Sequence, residues 1–346
     1  MVYRDNTSDP VPATGRWYAV AAEYDRVLYG MDALKDSNQK IVALAGGVGG
    51  AKFLQGLAGA VPDERLIAVV NTADDFELWG LHISPDVDTV MYTLAGIANP
   101  ATGWGIAGDT RATLDGIAAY GEDPWFLVGD RDISTHILRT HRLREGQSLS
   151  EVTKGLAAAL GIGVRLLPMS DDPVRTQIRV DDGWLGFQDY FVGRRHEDAV
   201  LDVRFDGIEA ASPAPGVLDA VHDADLILFC PSNPIVSIAP ILGVPGVRDA
   251  IASSKSPVAC ISPIVGGKAL KGPAAGMLEQ RGLDVSAAGV AAYYGDLVDV
   301  MIIDQVDAAL APEIEAQGKR VIVLQTIMGD RDDRVRLASE VMAALA

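Results

Sequence analysis

Short, wholly apolar runs recur along this chain, and between them apolar residues fall at helical spacing. Ile41–Ala45 reads IVALA and Leu66–Asn71 reads LIAVVN. Trp125–Val128, Leu226–Cys230, Val258–Ile261, Val300–Ile303 and Val321–Leu324 continue the series. Strands without polar alternation are those buried on both faces, as in a parallel sheet covered by helices. The spacing predicts helices from Ala51, over Thr89–Gly96, Ile133–Leu143 and Leu149–Leu160, and over Arg334–Leu345. Such alternation predicts an α/β fold, Rossmann-like and doubly wound, with a mostly parallel sheet.

Two stretches depart from the rhythm. Between Thr176 and Phe205 the chain reads TQIRV, then Asp181-Asp182-Gly183, then WLGFQ and later VLDVRF. A D-G turn between alternating segments predicts an antiparallel hairpin, so residues 170–210 are expected to form a small β-rich insertion. Ahead of the first strand, Asn6–Gly15 is polar and proline-containing, while Val20, Tyr24, Val27, Leu28, Met31 and Leu34 share one helical face. Residues 1–39 therefore read as an N-terminal extension carrying a helix, and residues 40–346 as the main body.

Composition narrows the function classes. The 346 residues are 49% hydrophobic and 22% charged, an ordinary globular balance. The formal net charge is −18 and no Lys/Arg block occurs, which argues against a nucleic-acid surface. Cys230 and Cys260 lie inside apolar runs, so no disulfide framework is expected. No apolar run approaches the roughly 18 residues of a membrane span. No basic stretch followed by an apolar one opens the sequence, and a cytoplasmic location is expected. A G-x-S-x-G elbow, an H-E-x-x-H motif and clustered histidines are all missing, so serine-triad or zinc hydrolysis has no support.

Candidate chemistry gathers where apolar runs end. Ala45–Phe53 reads AGGVGGAKF, with Gly46, Gly47, Gly49, Gly50 and Lys52 at a strand-to-helix turn. Glycines there let backbone N–H groups approach an anion at a helix N-terminus. A Walker loop would need Ser or Thr where Phe53 stands, and the third glycine of a dinucleotide fingerprint would fall on Lys52. The alternative is a tight turn that only packs the helix on its strand. Asn71–Thr89 holds Asp74, Asp75, Asp86 and Asp88, carboxylates able to converge on a hard cation such as Mg²⁺. Asp86 or Asp88 could instead cap the next helix. In Gly129–Thr140, Asp132 or Ser134 suits a helix cap, and His136 and Arg139 share a face that would suit an anionic or hydroxyl-bearing ligand. A structural histidine and a surface arginine are the alternatives. Cys230–Leu242 offers Ser232, Asn233 and Ser237 in a proline-stiffened loop, and Ile261–Ala274 offers Gly266, Gly267, Lys268 and Lys271 as local positive charge.

The ordered set GGVGGAKFLQGL, NTADDFELWGLHISPDVDTVMYTLAG, LVGDRDISTHILRT, LLPMSDDPVRTQI, FQDYFV, PSNPIVSIAPIL and SPIVGGKALKGPAA resembles the 2-phospho-L-lactate transferase family of coenzyme F-420 biosynthesis. Residues 1–39 have no counterpart in that pattern. The resemblance implies transfer of a phospholactyl group, or a phosphoenolpyruvyl group, from a guanosine-diphosphate donor to the ribityl hydroxyl of the deazaflavin Fo, with release of GMP. It implies Mg²⁺ on Asp74 and Asp88, with Asp75 and Asp86 beside them. Gly46, Gly47, Gly49, Gly50, Lys52, Ser232, Asn233, Ser237, Gly267 and Lys268 would meet the donor. Asn71, Asp130, His136, Arg139, Phe187, Gln188 and Tyr190 would meet the acceptor. A homodimer is typical of the family. A related branch that shares the glycine turn, a nucleotide-sugar-binding regulator, is the competing expectation.

Overall fold

In β1 (Ile41–Ala45) every side chain is buried, Val42 and Leu44 toward one core and Ile41, Ala43 and Ala45 toward another. A strand apolar on both faces belongs inside a sheet covered by two layers. The computed structural model, which describes residues 38–269 and 272–346, places β1 there. The helix read between Val20 and Leu34, and the candidate Lys271, lie outside the described residues.

In chain order the elements that position the site are β1, α1 (Gly47–Ala60), β2 (Leu66–Val70), β3 (Phe76–Leu78), β4 (Leu81–Ile83), α2 (Pro85–Leu94), α3 (Ala112–Ala119), α4 (Asp130–Arg144) and α5 (Leu149–Ala159). Then come β5 (Arg165–Pro168), β6 (Arg175–Val180), β7 (Gly183–Gly186), β8 (Asp202–Asp206), β9 (Leu226–Phe229), β10 (Val258–Ile261), β11 (Ile264–Val265), β12 (Lys268–Ala269), β13 (Val300–Asp304) and β14 (Arg320–Leu324). The main sheet has seven strands in the order β14-β13-β10-β9-β1-β2-β5, and every neighbouring pair is parallel. The expected doubly wound α/β fold is therefore the observed one. From β1 the chain winds outward through β2 to β5, then returns to β9 on the other side of β1 and winds the opposite way. The switch point thus lies between β1 and β9, where ligands of open α/β sheets bind outside the carboxyl ends of the strands.

The helices α1, α2 and α5 and the C-terminal helix Arg331–Leu345 cover one face of the sheet, and shorter helices from Val217 onward cover the other. β6, β7 and β8 form a separate three-stranded antiparallel sheet, with Asp181 and Asp182 in the β6–β7 turn and Val180 paired to Gly183. It packs on the second core through Ile178, Val180 and Val203.

Three expectations need correction. Trp125–Val128 is not a strand. Its apolar side chains serve a small satellite core instead: Val128 packs with Leu78, Ile83 and Leu114, and Trp125 and Phe126 meet Phe76. The sheet edge on that side is β5, whose exposed Arg165 hid it from an apolar-run reading. Helix α1 starts at Gly47 rather than Ala51, and α2 starts at Pro85 rather than Thr89, which puts Asp86 and Asp88 inside its first turn.

Candidate functional site

The site is built on the switch point. Gly46 follows β1 directly, and Ser232 follows β9; Ser232 Oγ donates to the Gly46 carbonyl at 2.8 Å and accepts from the Gly46 N–H at 3.2 Å. The two strand ends are held so close that a Cβ on Gly49 would stand 2.2 Å from the Pro231 carbonyl oxygen. Gly47 takes φ +64°, which favours glycine. The first turn of α1 has no side-chain cap at Gly46 and no acidic residue of its own. Its negative partner comes from α2 instead, because the Asp86 carboxylate accepts from the Gly47 N–H. Ser237 lies against the same turn, next to Gly46.

At the end of β2, Asn71 joins the turn to the acidic loop. Its side-chain N–H₂ donates to Asp74 Oδ2 at 3.1 Å, to Asp86 Oδ2 at 2.9 Å and to the Val236 carbonyl at 3.2 Å. Asp75 accepts from Ser84 Oγ at 2.8 Å and sits 2.9 Å from His82 Nε2. All three carboxylates are buried. Burial, and then the neighbouring Asp86 charge, pushes Asp74 well above the usual carboxylate range. Burial also pushes Asp86 up to about 6, against the hydrogen bonds from Asn71 and Gly47. Among the described residues no Lys or Arg forms an ion pair with these three, and Asp74 Oδ1 has no hydrogen-bond partner. Hard oxygen donors, crowded like charges and an orphaned carboxylate oxygen are what a site for Mg²⁺ presents.

Asp88, one turn-face away on α2, is committed elsewhere. Both its oxygens meet the guanidinium of Arg139, at 3.0 Å for Nη1 and in an even closer contact for Nη2. Arg139 is fully buried on α4, and Nη1 also reaches the His82 carbonyl and His136 Nδ1. Burial works against the Arg139 charge, but Asp88 holds it above its ordinary range. His136 Nε2 lies 3.3 Å from Asp132 Oδ1, which accepts from Tyr92 Oη at 2.6 Å. Asp88, Asp132 and His136 bring potential ligand atoms within 4.8 Å of one another. The guanidinium already balances charge there, whereas Asp74 and Asp86, joined through the Asn71 amide, are a carboxylate pair with no cationic partner among the described residues.

The remaining candidates divide. Asp130 accepts from the Ala112 and Thr113 N–H groups at 2.9 and 2.8 Å, and Thr110 Oγ1 donates to it as well, so it caps α3. These bonds, Thr110 first, hold its carboxyl well below the usual range. Lys52 donates to the Met328 carbonyl at 3.1 Å. Asn233 Oδ1 accepts from the Ile235 N–H at 2.9 Å and sets the turn that carries Ser237. Gly267 and Lys268 belong to the exposed β11–β12 hairpin, anchored where the Gly266 N–H meets both oxygens of Asp307. Phe187 and Gln188 line a cavity of about 90 Å³ with Asp74 and Asp75. Phe187 also stacks on Phe191, with ring centroids 5.4 Å apart, and Tyr190 is buried in the core with its hydroxyl 3.5 Å from the Asp198 carbonyl.

Sequence reasoning passed over His82, Tyr92 and Thr176 and treated Asp132 only as a helix cap. Asp132 and His136 are four apart on one helix, a same-face spacing that signals their contact. Alternation within TQIRV places Thr176 on the buried face of β6.

Fold and site together define a Rossmann-like α/β protein with a buried carboxylate set beside the glycine turn of its switch point. The family model described as 2-phospho-L-lactate transferase CofD matches residues 41–342. The chain belongs to this transferase family. A phosphoenolpyruvate transferase from Streptomyces griseus is 47% identical over 312 residues, covering 88% of this chain and 97% of the relative. A 2-phospho-L-lactate transferase from Methanocaldococcus jannaschii is 40% identical over 306 residues, covering 87% and 97%. Among solved structures, a UPF0052 family protein from Bacillus halodurans superposes with a TM-score of 0.59 at 17% identity, covering 89% of this chain and 99% of that one. That likeness is one of fold. No helix of the described residues is long and apolar enough to cross a membrane.

Proposed function

We propose that this protein transfers a phosphoenolpyruvyl group from enolpyruvyl-2-diphospho-5'-guanosine to the ribityl hydroxyl of the deazaflavin Fo in coenzyme F-420 biosynthesis. The reading rests on family membership. The preference for enolpyruvyl over lactyl rests on identity: relatives named phosphoenolpyruvate transferase from three Streptomyces species reach 46–47%, against 39–41% for those named 2-phospho-L-lactate transferase.

The observation that carries the chemistry is the buried Asp74–Asp75–Asp86 set beside the Gly46–Gly50 turn. The acceptor oxygen attacks the phosphorus that bears the enolpyruvyl ester, the bond from that phosphorus to the GMP oxygen breaks, and GMP departs. No covalent enzyme intermediate is needed, so the residues chiefly orient the alcohol and manage charge. Asp74, Asp75 and Asp86 would hold Mg²⁺. When bound, Mg²⁺ neutralises charge on the diphosphate. Asn71 keeps Asp74 and Asp86 converged. Asp74, which lines the cavity beside the acidic loop, would receive the alcohol proton as the new bond forms. The glycine turn and Ser237 face the donor, and Ser232 fixes the turn. Asp88, held by Arg139 and backed by His136, sets the wall on the α4 side.

A thermal-shift panel tests the reading. Fo and GDP with Mg²⁺ should stabilise the protein jointly. Stabilisation by a nucleotide sugar alone, with no response to Fo, would favour the regulator class and overturn the proposal.

A further inference from the structure

The two faces of the β3–β4 hairpin go to different places. Phe76 pairs with Ile83 and Leu78 with Leu81, and all four pack in the satellite core. Alternation puts His82 on the opposite face. The turn residues Trp79 and Gly80 take φ of +51° and +74°, the left-handed pair that suits a two-residue hairpin loop. The hairpin is pinned along α4. Arg144 Nη2 donates to the Gly80 carbonyl at 2.8 Å, the His82 N–H donates to Thr140 Oγ1 at 2.7 Å, and Arg139 Nη1 reaches the His82 carbonyl at 3.4 Å. Thr140 Oγ1 donates in turn to the His136 carbonyl at 2.7 Å.

With its backbone held on both sides, His82 brings its ring to the acidic loop. Nε2 lies 2.9 Å from Asp75 Oδ2, while Ser84 Oγ donates to Asp75 Oδ1 at 2.8 Å. A carboxylate only accepts, so Nε2 carries the hydrogen of this contact. A carboxylate offers about four lone-pair sites. Ser84 and His82 take one on each oxygen and leave the others open to a cation. Two donors from different elements fix the plane of the carboxylate, and hence where those open sites aim. Carboxylates that ligate metals are oriented by such bonds, and losing one typically costs about ten- to hundredfold in metal affinity. We infer that His82 is a positioning residue of the cation site, acting through Asp75. The hairpin that carries it ties this carboxylate to α4 and so to the Arg139–Asp88 pair. The inference rests on the Mg²⁺ assignment in the transferase reading above.

The test is metal binding rather than turnover. Mn²⁺ is the probe, an ion that shares the preference of Mg²⁺ for octahedral oxygen ligands. Its binding to the full chain is read at one pH from the loss of the free-ion EPR signal. His82→Leu should weaken Mn²⁺ binding about ten- to hundredfold. His82→Gln, whose amide N–H₂ falls near the place of Nε2, should restore affinity to within about threefold of the wild type, the scale of one neutral hydrogen bond. His82→Phe serves the same comparison if the leucine variant does not fold. Wild-type affinity in the leucine or phenylalanine variant overturns the inference. So does a glutamine variant that binds no more tightly than these, because a ring that only packs would give that result. Failure of the wild type to bind Mn²⁺ at all would instead sink the metal site of the transferase reading.

Discussion

Arg139 offers the sharpest test of how the site is held. Its side chain is 0% exposed and its guanidinium grips both oxygens of Asp88, itself buried on α2. Arg139→Leu keeps the volume roughly and removes the charge, leaving a buried carboxylate without its partner. Breaking a buried pair from one side costs about 3–5 kcal/mol. For a chain of this size that lowers Tm by on the order of 5–10 °C. The loss depends on pH. Burial raises Asp88, and Arg139 is the first of the groups opposing it. Without Arg139 the folded-state pKa stands further above the unfolded value of about 4. The folded state then keeps its proton longer, so the penalty is small below about pH 4, grows as pH rises and levels above the folded pKa. Urea denaturation of metal-free protein across pH 4–8 measures this. Replacing both residues, Asp88→Leu with Arg139→Leu, should recover most of the loss, because an apolar pair leaves no stranded charge. A loss under about 1 kcal/mol in the single variant, with no pH trend, would refute the reasoning and return Arg139 to the class of weak ion pairs.

Three further outcomes follow from the same geometry. Asp86 is pushed up to about 6, above its unfolded value, so metal-free protein should lose stability as pH rises from about 4 to about 6, by about 3 kcal/mol at most. Asp86→Asn should flatten that slope, raise Tm at pH 8 and abolish the stabilisation by Mg²⁺; an unchanged pH–Tm profile would contradict the placement of Asp86 in a crowded carboxylate set. Gly49→Ala drives a methyl group to 2.2 Å from the Pro231 carbonyl and should cost about 1–3 kcal/mol in denaturation while weakening GDP binding by calorimetry. Ser232→Ala removes both bonds to Gly46 and should cost about 1–3 kcal/mol, with GDP affinity falling alongside; wild-type affinity would show that the β1–β9 clasp does not shape the donor site.

The fold was legible where burial on both faces left its mark. β1, β2, β9, β10 and β13 are runs with scarcely a polar residue, and such runs leave few architectures open. The failures share a cause. The apolar stretch Trp125–Val128 is satisfied by a satellite core under the β3–β4 hairpin, and an apolar run cannot say which core it fills. β5 escaped because an edge strand tolerates a polar residue such as Arg165. At the site, the glycine turn and the acidic loop were legible because backbone approach and charge density are local properties of sequence. The division of the four carboxylates was not. Asp88 and Arg139 are 51 positions apart, and only the packing of α4 on α2 and the hairpin makes them partners. Nor was it legible that Asp130, which the resemblance gives to the acceptor, accepts from N–H groups at the start of α3, 17 and 18 positions earlier.

The central claim is the transfer itself, and product mass tests it most directly. The full chain is incubated with Fo, Mg²⁺ and either enolpyruvyl-2-diphospho-5'-guanosine or its lactyl counterpart, and the deazaflavin fraction is weighed by mass spectrometry while GMP is quantified. The account predicts an Fo adduct carrying one phosphoenolpyruvyl group, formed with one equivalent of GMP and lost when Mg²⁺ is chelated. Unmodified Fo with both donors, from folded protein and with Mg²⁺ present, would contradict it.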